Sequence, residues 1–200
     1  LALATGAPTG FRRFIEHHAA WYCENCVMLL LFWDPMAPGA RAASILAVLV
    51  ALILVTLLPP SRAWPRWPVD KAFLATSLFI ALNYVFTPQM LLMIAPLALL
   101  VLKGRRFWYY VAVDVLNALI ILLWFHDSEL RSALAFLGIP QGYNPWGIDS
   151  PIQMIAAVRN LLLLYLLLRE SLELLSPLKP YAYTPPGTDL SKAMEGGEGA

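Results

Sequence analysis

The sequence predicts an all-α fold: a polytopic integral membrane helical bundle with a short-helix hairpin and an external interfacial helix. Of its 200 residues, 60% are hydrophobic and 14% charged, against about 25% charged in soluble domains. The charge deficit is concentrated in long uncharged runs, the mark of membrane spans. Residues 71–102 differ, holding two short apolar runs split by a polar, proline-bearing break from Asn83 to Gln89. The net charge is +1 with no basic patch interleaved with aromatics, which points away from a nucleic-acid partner.

The chain opens at Leu1 in loop-like sequence, Thr5-Gly6-Ala7-Pro8-Thr9-Gly10, without an initiator Met or a signal peptide. The expectation is a fragment of a longer protein with helices upstream, a trimmed leader being the alternative. Residues 1–41 read as an external or interfacial segment with a short hydrophobic helix. Within it, 26–33 is apolar but short, and Arg12, Arg13, Glu16, His17, His18, Glu24 and Asn25 precede or enter it. A helix dipping into the membrane from outside and the end of another span both fit.

Residues 42–168 read as the transmembrane domain. The run 42–58, ended by Pro59-Pro60, is long enough to cross about 30 Å of hydrocarbon at about 1.5 Å per residue. A second span covers 107–125 and a third 152–168. Between the first two lie the runs 72–82 and 90–102, each roughly 16–20 Å long and too short to span comfortably. Thr87 is placed to cap a helix whose first residue is Pro88. Lys71 precedes this pair and Lys103, Arg105 and Arg106 follow it. Positive charge favours the cytoplasmic side, so the segment reads as a hairpin with its tip outward. Alternation then runs 42–58 inward, 107–125 outward and 152–168 inward, with Arg62 and Arg66 cytoplasmic. In the external loop 126–151, residues 128–137 form an amphipathic piece with Leu130, Leu134 and Leu137 on one side, stopped by Gly138 and Pro140. Residues 169–200, with Arg169 and Lys179, read as a cytoplasmic, mostly disordered tail.

Candidate site residues follow from polarity at depth. A polar backbone break inside a membrane persists only against protein or a wet cavity. That marks Asn83, Phe86, Thr87 and Gln89, with an ordinary external turn as the plain alternative. Arg159 is the one Arg or Lys well inside a predicted span. A guanidinium there can hold a lipid phosphate, pair with Asp114 on the neighbouring span, or snorkel to the interface. Glu24 and Asn25 are placed to orient a sugar or phosphate in an external pocket, or to form a solvated interfacial face.

Other constellations are weaker. Cys23 and Cys26 have the spacing of a redox pair. Membrane thiol oxidoreductases such as the vitamin K epoxide reductase family relay electrons through a second pair, which this chain lacks, so two buried or interfacial thiols are expected. His17 and His18, adjacent on a helix, diverge and have no third ligand at a suitable spacing, so no metal is expected. No Gly-rich phosphate loop or Ser-His-Asp set implies a cofactor or a hydrolase. Asp127, Glu129 and Asp149 are external carboxylates without catalytic spacing, and Asp70 is expected on the cytoplasmic side.

The break carries a family resemblance. Asn83-Tyr84-Val85-Phe86-Thr87-Pro88-Gln89-Met90-Leu91-Leu92, followed by Ile94-Ala95-Pro96-Leu97, resembles the signature N-K-V-[FI]-[ST]-P-Q-[YF]-L-x-W-x-x-P-L. That signature belongs to polytopic glycosyltransferases of the GT-C superfamily, including GPI mannosyltransferase I-like enzymes and related prokaryotic membrane mannosyltransferases. Tyr84 stands where many members have Lys. Glu24-Asn25 is similar to the end of the family's H-x-x-R-x-x-x-x-E-[SN] segment, with Ala19 at the Arg position. Arg159-Asn160 is a third similarity.

The resemblance implies a multi-pass enzyme of the cell membrane or endoplasmic reticulum. It would move a sugar, typically mannose, from a polyprenyl-phosphate donor to a lipid or glycan acceptor on the outer face. It implies no cofactor. It places the catalytic carboxylate in a first external loop near the N-terminus of the full protein, so this chain would be a C-terminal portion lacking the general base. Arg159 would stabilise the leaving phosphate, with Asn83, Thr87 and Gln89 at the pocket rim. A transporter, which also uses broken helices, is the main alternative, but no internal repeat supplies a second broken segment.

Overall fold

A computed structural model describes residues 8–19, 21–58, 67–139 and 144–175. Of these residues, 79% are helical and none lies in a strand. The helices are α1 (Pro8–Ala19), α2 (Leu29–Phe32), α3 (Pro38–Leu57), α4 (Trp67–Leu82), α5 (Leu91–Val101), α6 (Arg105–Leu123), α7 (Asp127–Phe136) and α8 (Pro151–Leu175). Among the described residues, three helical runs are long and apolar enough to cross a membrane: Pro38–Leu57, Arg105–Phe136 and Pro151–Leu175.

The expected hairpin is present, with one arm longer than its apolar run. α4 starts at Trp67 and carries Asp70 in its first turn, so its 16 residues reach about 24 Å. The opposite arm begins with a 3₁₀ turn, Pro88–Met90, and continues as α5. Pro88 takes the first helical position, as its fixed φ favours. Thr87 adopts the extended cap conformation, but its side chain makes no capping hydrogen bond. Its carbonyl instead accepts from the Met90 N–H at 3.0 Å. Gly104 turns the chain from α5 into α6 at φ +56°, a conformation glycine adopts without a Cβ penalty.

Side-chain contacts fix how the helices run. Ser44 Oγ donates to the Leu82 carbonyl, while Lys71 Nζ donates to the Thr56 and Leu58 carbonyls at 2.8 and 3.1 Å. α3 and α4 are therefore antiparallel, and Lys71 satisfies carbonyls left open at the end of α3. Arg106 pairs with Glu170 at 3.0 Å and also with Glu173, and Ile120 packs with Ile152 and Ala156, so α6 and α8 are antiparallel too. One end of the bundle gathers residues 21–37, 83–90, 120–127 and 144–153, and the other gathers 56–58, 67–71, 101–106 and 170–175. The core between them is built on Phe73, Leu74, Ile80, Phe86, Leu91, Ile94, Val113, Leu163 and Leu166.

Three expectations change. The short apolar run 26–33, expected as a dipping helix or the end of a span, holds only the single helical turn α2, which follows an irregular stretch, 21–28. The amphipathic piece exists as α7 but continues from α6 through the 3₁₀ turn Trp124–His126. Leu130 and Leu134 are half-buried, whereas Leu137 is exposed beyond the helix end. α8 runs to Leu175, because Arg106 anchors Glu170 and Glu173 past the last apolar turn. Pro59-Pro60, Arg62, Arg66, Pro140, Lys179 and the expected disordered tail beyond 175 lie outside the described residues.

Candidate functional site

The two resembling segments meet. Glu24 and Val85 form an isolated parallel bridge: the Glu24 N–H donates to the Tyr84 carbonyl at 3.1 Å, and the Phe86 N–H donates to the Glu24 carbonyl at 2.9 Å. The 21–28 stretch thus docks on the hairpin tip by its backbone. Cys23 and Cys26 are joined in a disulfide across Glu24-Asn25, which corrects the expectation of two thiols. Both cysteines are buried. Asn25 has φ +50°, a left-handed conformation that Asn tolerates better than most residues. Arg41 donates to the Trp21 carbonyl at 2.5 Å and stands over the Tyr84 ring at 5.7 Å, bracing the stretch from α3.

Beneath this junction sits Arg159, with 0% of its surface exposed. Its Nε donates to Asn160 Oδ1 at 3.1 Å and its Nη1 to Asn117 Oδ1 at 2.8 Å. Its Nη2 reaches the carbonyls of Asn25 and Phe86 at 3.2 and 3.3 Å, and the guanidinium lies 3.7 Å from the Phe86 ring centre. Asn160 Nδ2 adds a bond to the Asn25 carbonyl at 2.8 Å, and Asn117 Nδ2 donates to the Pro88 carbonyl at 2.8 Å. One guanidinium therefore ties 21–28, the hairpin tip, α6 and α8 together. The expected pairing with Asp114 is corrected: Asp114 is exposed on α6, and Arg159 makes no ion pair among the described residues. Snorkelling and direct contact with a lipid phosphate both need a guanidinium at the surface, and this one is enclosed.

Above the network, Glu24, Asn25, Pro88, Ile120, Ile121, Trp124 and Phe125 line a cavity of about 190 Å³. The Glu24 carboxylate accepts from Trp21 Nε1 at 3.2 Å. Asn25 is 2% exposed, and its Oδ1 has no hydrogen-bond partner. The apolar wall comes from the end of α6, where Ile121 is 52% and Phe125 83% exposed. An aromatic row runs outward from Trp124: Tyr22 lies 4.3 Å from Trp146 and Trp146 lies 4.7 Å from Trp124, centre to centre. Burial, and secondarily the Glu24 charge, push the Tyr22 phenol above its ordinary pKa.

Of the residues expected at the site, Glu24 and Asn25 line the cavity, while Phe86 and Arg159 lie under it. Asn83 and Thr87 are half-buried in the tip and Gln89 is exposed; none of the three lines the cavity. Asn83 Oδ1 accepts from the Val85 N–H at 3.4 Å, shaping its own turn. Sequence reading missed Trp124, Phe125 and the structural role of Asn117. The aromatic pair closing a span and the amide inside it were the available signals. Among the described residues, no group of three or more His, Cys, Asp or Glu is placed to hold a metal; the His17 and His18 side chains lie outside them. No family model, curated protein or solved structure matches this chain.

Proposed function

We propose that this chain is the pocket-forming portion of a multi-pass membrane glycosyltransferase of the GT-C kind, using a polyprenyl-phosphate-linked sugar, with mannose the first candidate. The observation that carries this reading is the single cavity shared by Glu24-Asn25 and the hairpin tip at Pro88, two segments about sixty residues apart in sequence that resemble one family on separate grounds. The cavity has a polar wall and an apolar wall, and its apolar side is bordered by exposed Ile121 and Phe125. On a membrane-length helix such residues face lipid, so a lipid-linked sugar can enter sideways with its chain left in the bilayer.

The cavity end of the bundle is the outer one in this reading. It carries the disulfide, and disulfides persist on the oxidising side of a membrane. The opposite end carries Lys71, Lys103, Arg105, Arg106 and Arg169, consistent with positive charge retained inside.

In an inverting transfer, a carboxylate takes the acceptor hydroxyl proton while that oxygen bonds to the anomeric carbon. The bond from that carbon to the phosphate oxygen breaks, and the lipid phosphate leaves with the electron pair. The resemblance assigns the base to another part of the full protein. Arg159 serves by holding the Asn25 and Phe86 carbonyls in place, since no surface of it is free for phosphate.

The thiol-oxidoreductase alternative has less support, because neither buried cysteine is open to exchange. The test is sugar transfer from a polyprenyl-phosphate donor by the full-length protein. Turnover should fall in Pro88→Gly and Asn117→Leu, which disturb the tip, and absence of transfer with any polyprenyl-linked sugar would remove the reading.

A further inference from the structure

The buried Asp70 and Glu170 near Arg106 form an acidic cluster with nothing to mark a ligand. Gln153 is enclosed with neither amide atom hydrogen-bonded, and it lines no described cavity. The Glu24 carboxylate differs from both, because it stands without a counter-ion at the wall of an open space with aromatic sides.

We propose that this cavity takes a quaternary ammonium group, presented by a lipid headgroup, with the Glu24 carboxylate as its counter-charge and the Trp124 and Phe125 rings as its walls. Such a site stands on charge and wall chemistry, independent of the glycosyltransferase reading. Glu24 is the sole charged residue among the seven that line the cavity. Its carboxylate takes one donor, Trp21 Nε1, and forms no ion pair among the described residues. Arg159, in the layer below, is enclosed and turned onto the oxygens of Asn117, Asn160, Asn25 and Phe86. A half-buried anion without a counter-ion is costly, so a cation is the favoured occupant. The same charge adds to burial in holding the Tyr22 phenol above its ordinary range.

The remaining wall selects the kind of cation. The other acceptors are taken or sealed: the Pro88 carbonyl accepts from Asn117, the Asn25 carbonyl from Arg159 and Asn160, and Asn25 Oδ1 is enclosed. A primary ammonium brings three donors and finds an acceptor only at Glu24. A quaternary ammonium brings none. It needs a counter-charge and aromatic or apolar surface, which Glu24, Trp124, Phe125, Ile120 and Ile121 supply. The space, about 190 Å³, is below the roughly 300–1,000 Å³ of sites that enclose drug-sized ligands, and fits a headgroup cation without its chains.

The opening points to a lipid as the source. Ile121 and Phe125, 52% and 83% exposed, border it and lie on the apolar run Arg105–Phe136, long enough to cross a membrane. Aromatic residues at a span end sit at headgroup level. A lipid in that layer can place its ammonium against Glu24 while its chains stay beside Ile121. Its phosphate then stays at the mouth, since no Lys or Arg lines the cavity.

Two measurements on the full chain test this. In an uncharged detergent, tetramethylammonium should bind saturably by saturation-transfer NMR, and methyl mannoside at the same concentration should not displace it. Glu24→Gln keeps an acceptor for Trp21 Nε1 and should weaken binding about tenfold or more. Phe125→Leu, at a position too exposed to threaten the fold, should weaken it about two- to fivefold, the loss of one exposed ring. In nanodiscs mixing phosphatidylcholine, phosphatidylethanolamine and phosphatidylglycerol with matched chains, native mass spectrometry should find phosphatidylcholine enriched among the retained lipids, and Glu24→Gln should abolish the enrichment. The site is overturned if tetramethylammonium does not bind, or binds Glu24→Gln as it binds wild type. The lipid source is overturned if tetramethylammonium binds and phosphatidylcholine is retained no better than the other two, which assigns the site to a soluble quaternary ammonium. Ammonium binding by a protein that transfers no sugar keeps this site and removes the enzyme reading. Sugar transfer without ammonium binding does the reverse.

Discussion

The Arg159 guanidinium lies 3.7 Å from the centre of the Phe86 ring and also donates to the Phe86 carbonyl at 3.3 Å. The same residue thus meets the hairpin tip through its π face and its backbone. No carboxylate balances the charge among the described residues; amide and carbonyl oxygens and the ring do. Cation–π attraction grows when both partners are desolvated, to about 2 kcal/mol or more.

Arg159→Lys should therefore be more damaging than its charge suggests. Lysine keeps a buried cation and loses the planar fork that reaches four oxygens. Asn117 Oδ1 and the Phe86 carbonyl lose donors, at about 1–3 kcal/mol each. Arg159→Leu orphans the same atoms but removes the cost of burying a charge, so it should lose less. Thermal unfolding in detergent should rank wild type, then Leu, then Lys. A lysine variant as stable as wild type would show that the fork does not hold the tip. A double-mutant cycle with Asn117→Leu should give a coupling of about 0.5–3 kcal/mol, as for residues sharing one network.

The cysteine pair gives an independent test of the loop. A maleimide should not label Cys23 or Cys26 in the folded protein without reductant, and should add two labels after denaturation and reduction. The four-residue loop is short, so chain-entropy reasoning limits the disulfide's contribution to about 2 kcal/mol. The Cys23→Ser, Cys26→Ser double variant should keep its helices by circular dichroism and lower turnover in the proposed sugar transfer, because Glu24-Asn25 sits between the two sulfurs. Full turnover in that variant would mean that the backbone bridge to Val85 alone sets the loop.

The helices were legible because apolar length is a local property. The span 42–58, the hairpin break at Asn83 and the stop at Gly138 all read directly from composition and turn chemistry. Partnership was not local. Arg159 and Asp114 both looked like isolated charges in spans, but the pitch of α6 puts Asn117, not Asp114, toward α8. Glu24 and Pro88 meet because the 21–28 backbone bridges to the hairpin tip and because Arg159 and Asn160 fasten the Asn25 carbonyl from a third segment. The apolar wall escaped notice for a related reason: Ile121, Trp124 and Phe125 have the composition of an ordinary span end.

Tyr22 supplies a pH dependence. Burial first, and Glu24 second, hold its phenol above its ordinary value of about 10. The unfolded chain ionises Tyr22 at lower pH than the folded one, so the unfolded state binds fewer protons in that window. Stability contributed by the neutral phenol is full below about pH 10 and falls as pH rises toward the folded value. Comparing unfolding between pH 9 and 11 in wild type and Tyr22→Phe should show a steeper decline in wild type. Glu24→Gln should move the Tyr22 ultraviolet titration part of the way back, leaving the burial effect. Parallel stability curves in wild type and Tyr22→Phe would place Tyr22 in solvent.

Orientation can be read from single added cysteines, because the native pair is already joined. Asn144 lies exposed at the cavity end, and Lys103 lies exposed in the turn between α5 and α6 at the other. In intact cells a membrane-impermeant maleimide should label Asn144→Cys and spare Lys103→Cys until the membrane is opened. The reverse pattern would put the disulfide on the reducing side, where glutathione and thioredoxin keep thiols reduced, and would turn the proposed sugar pocket away from an outer-face acceptor. Labelling of both positions in intact cells would contradict a membrane-spanning bundle, since Lys103 precedes α6 at one end of the bundle and Asn144 precedes α8 at the other.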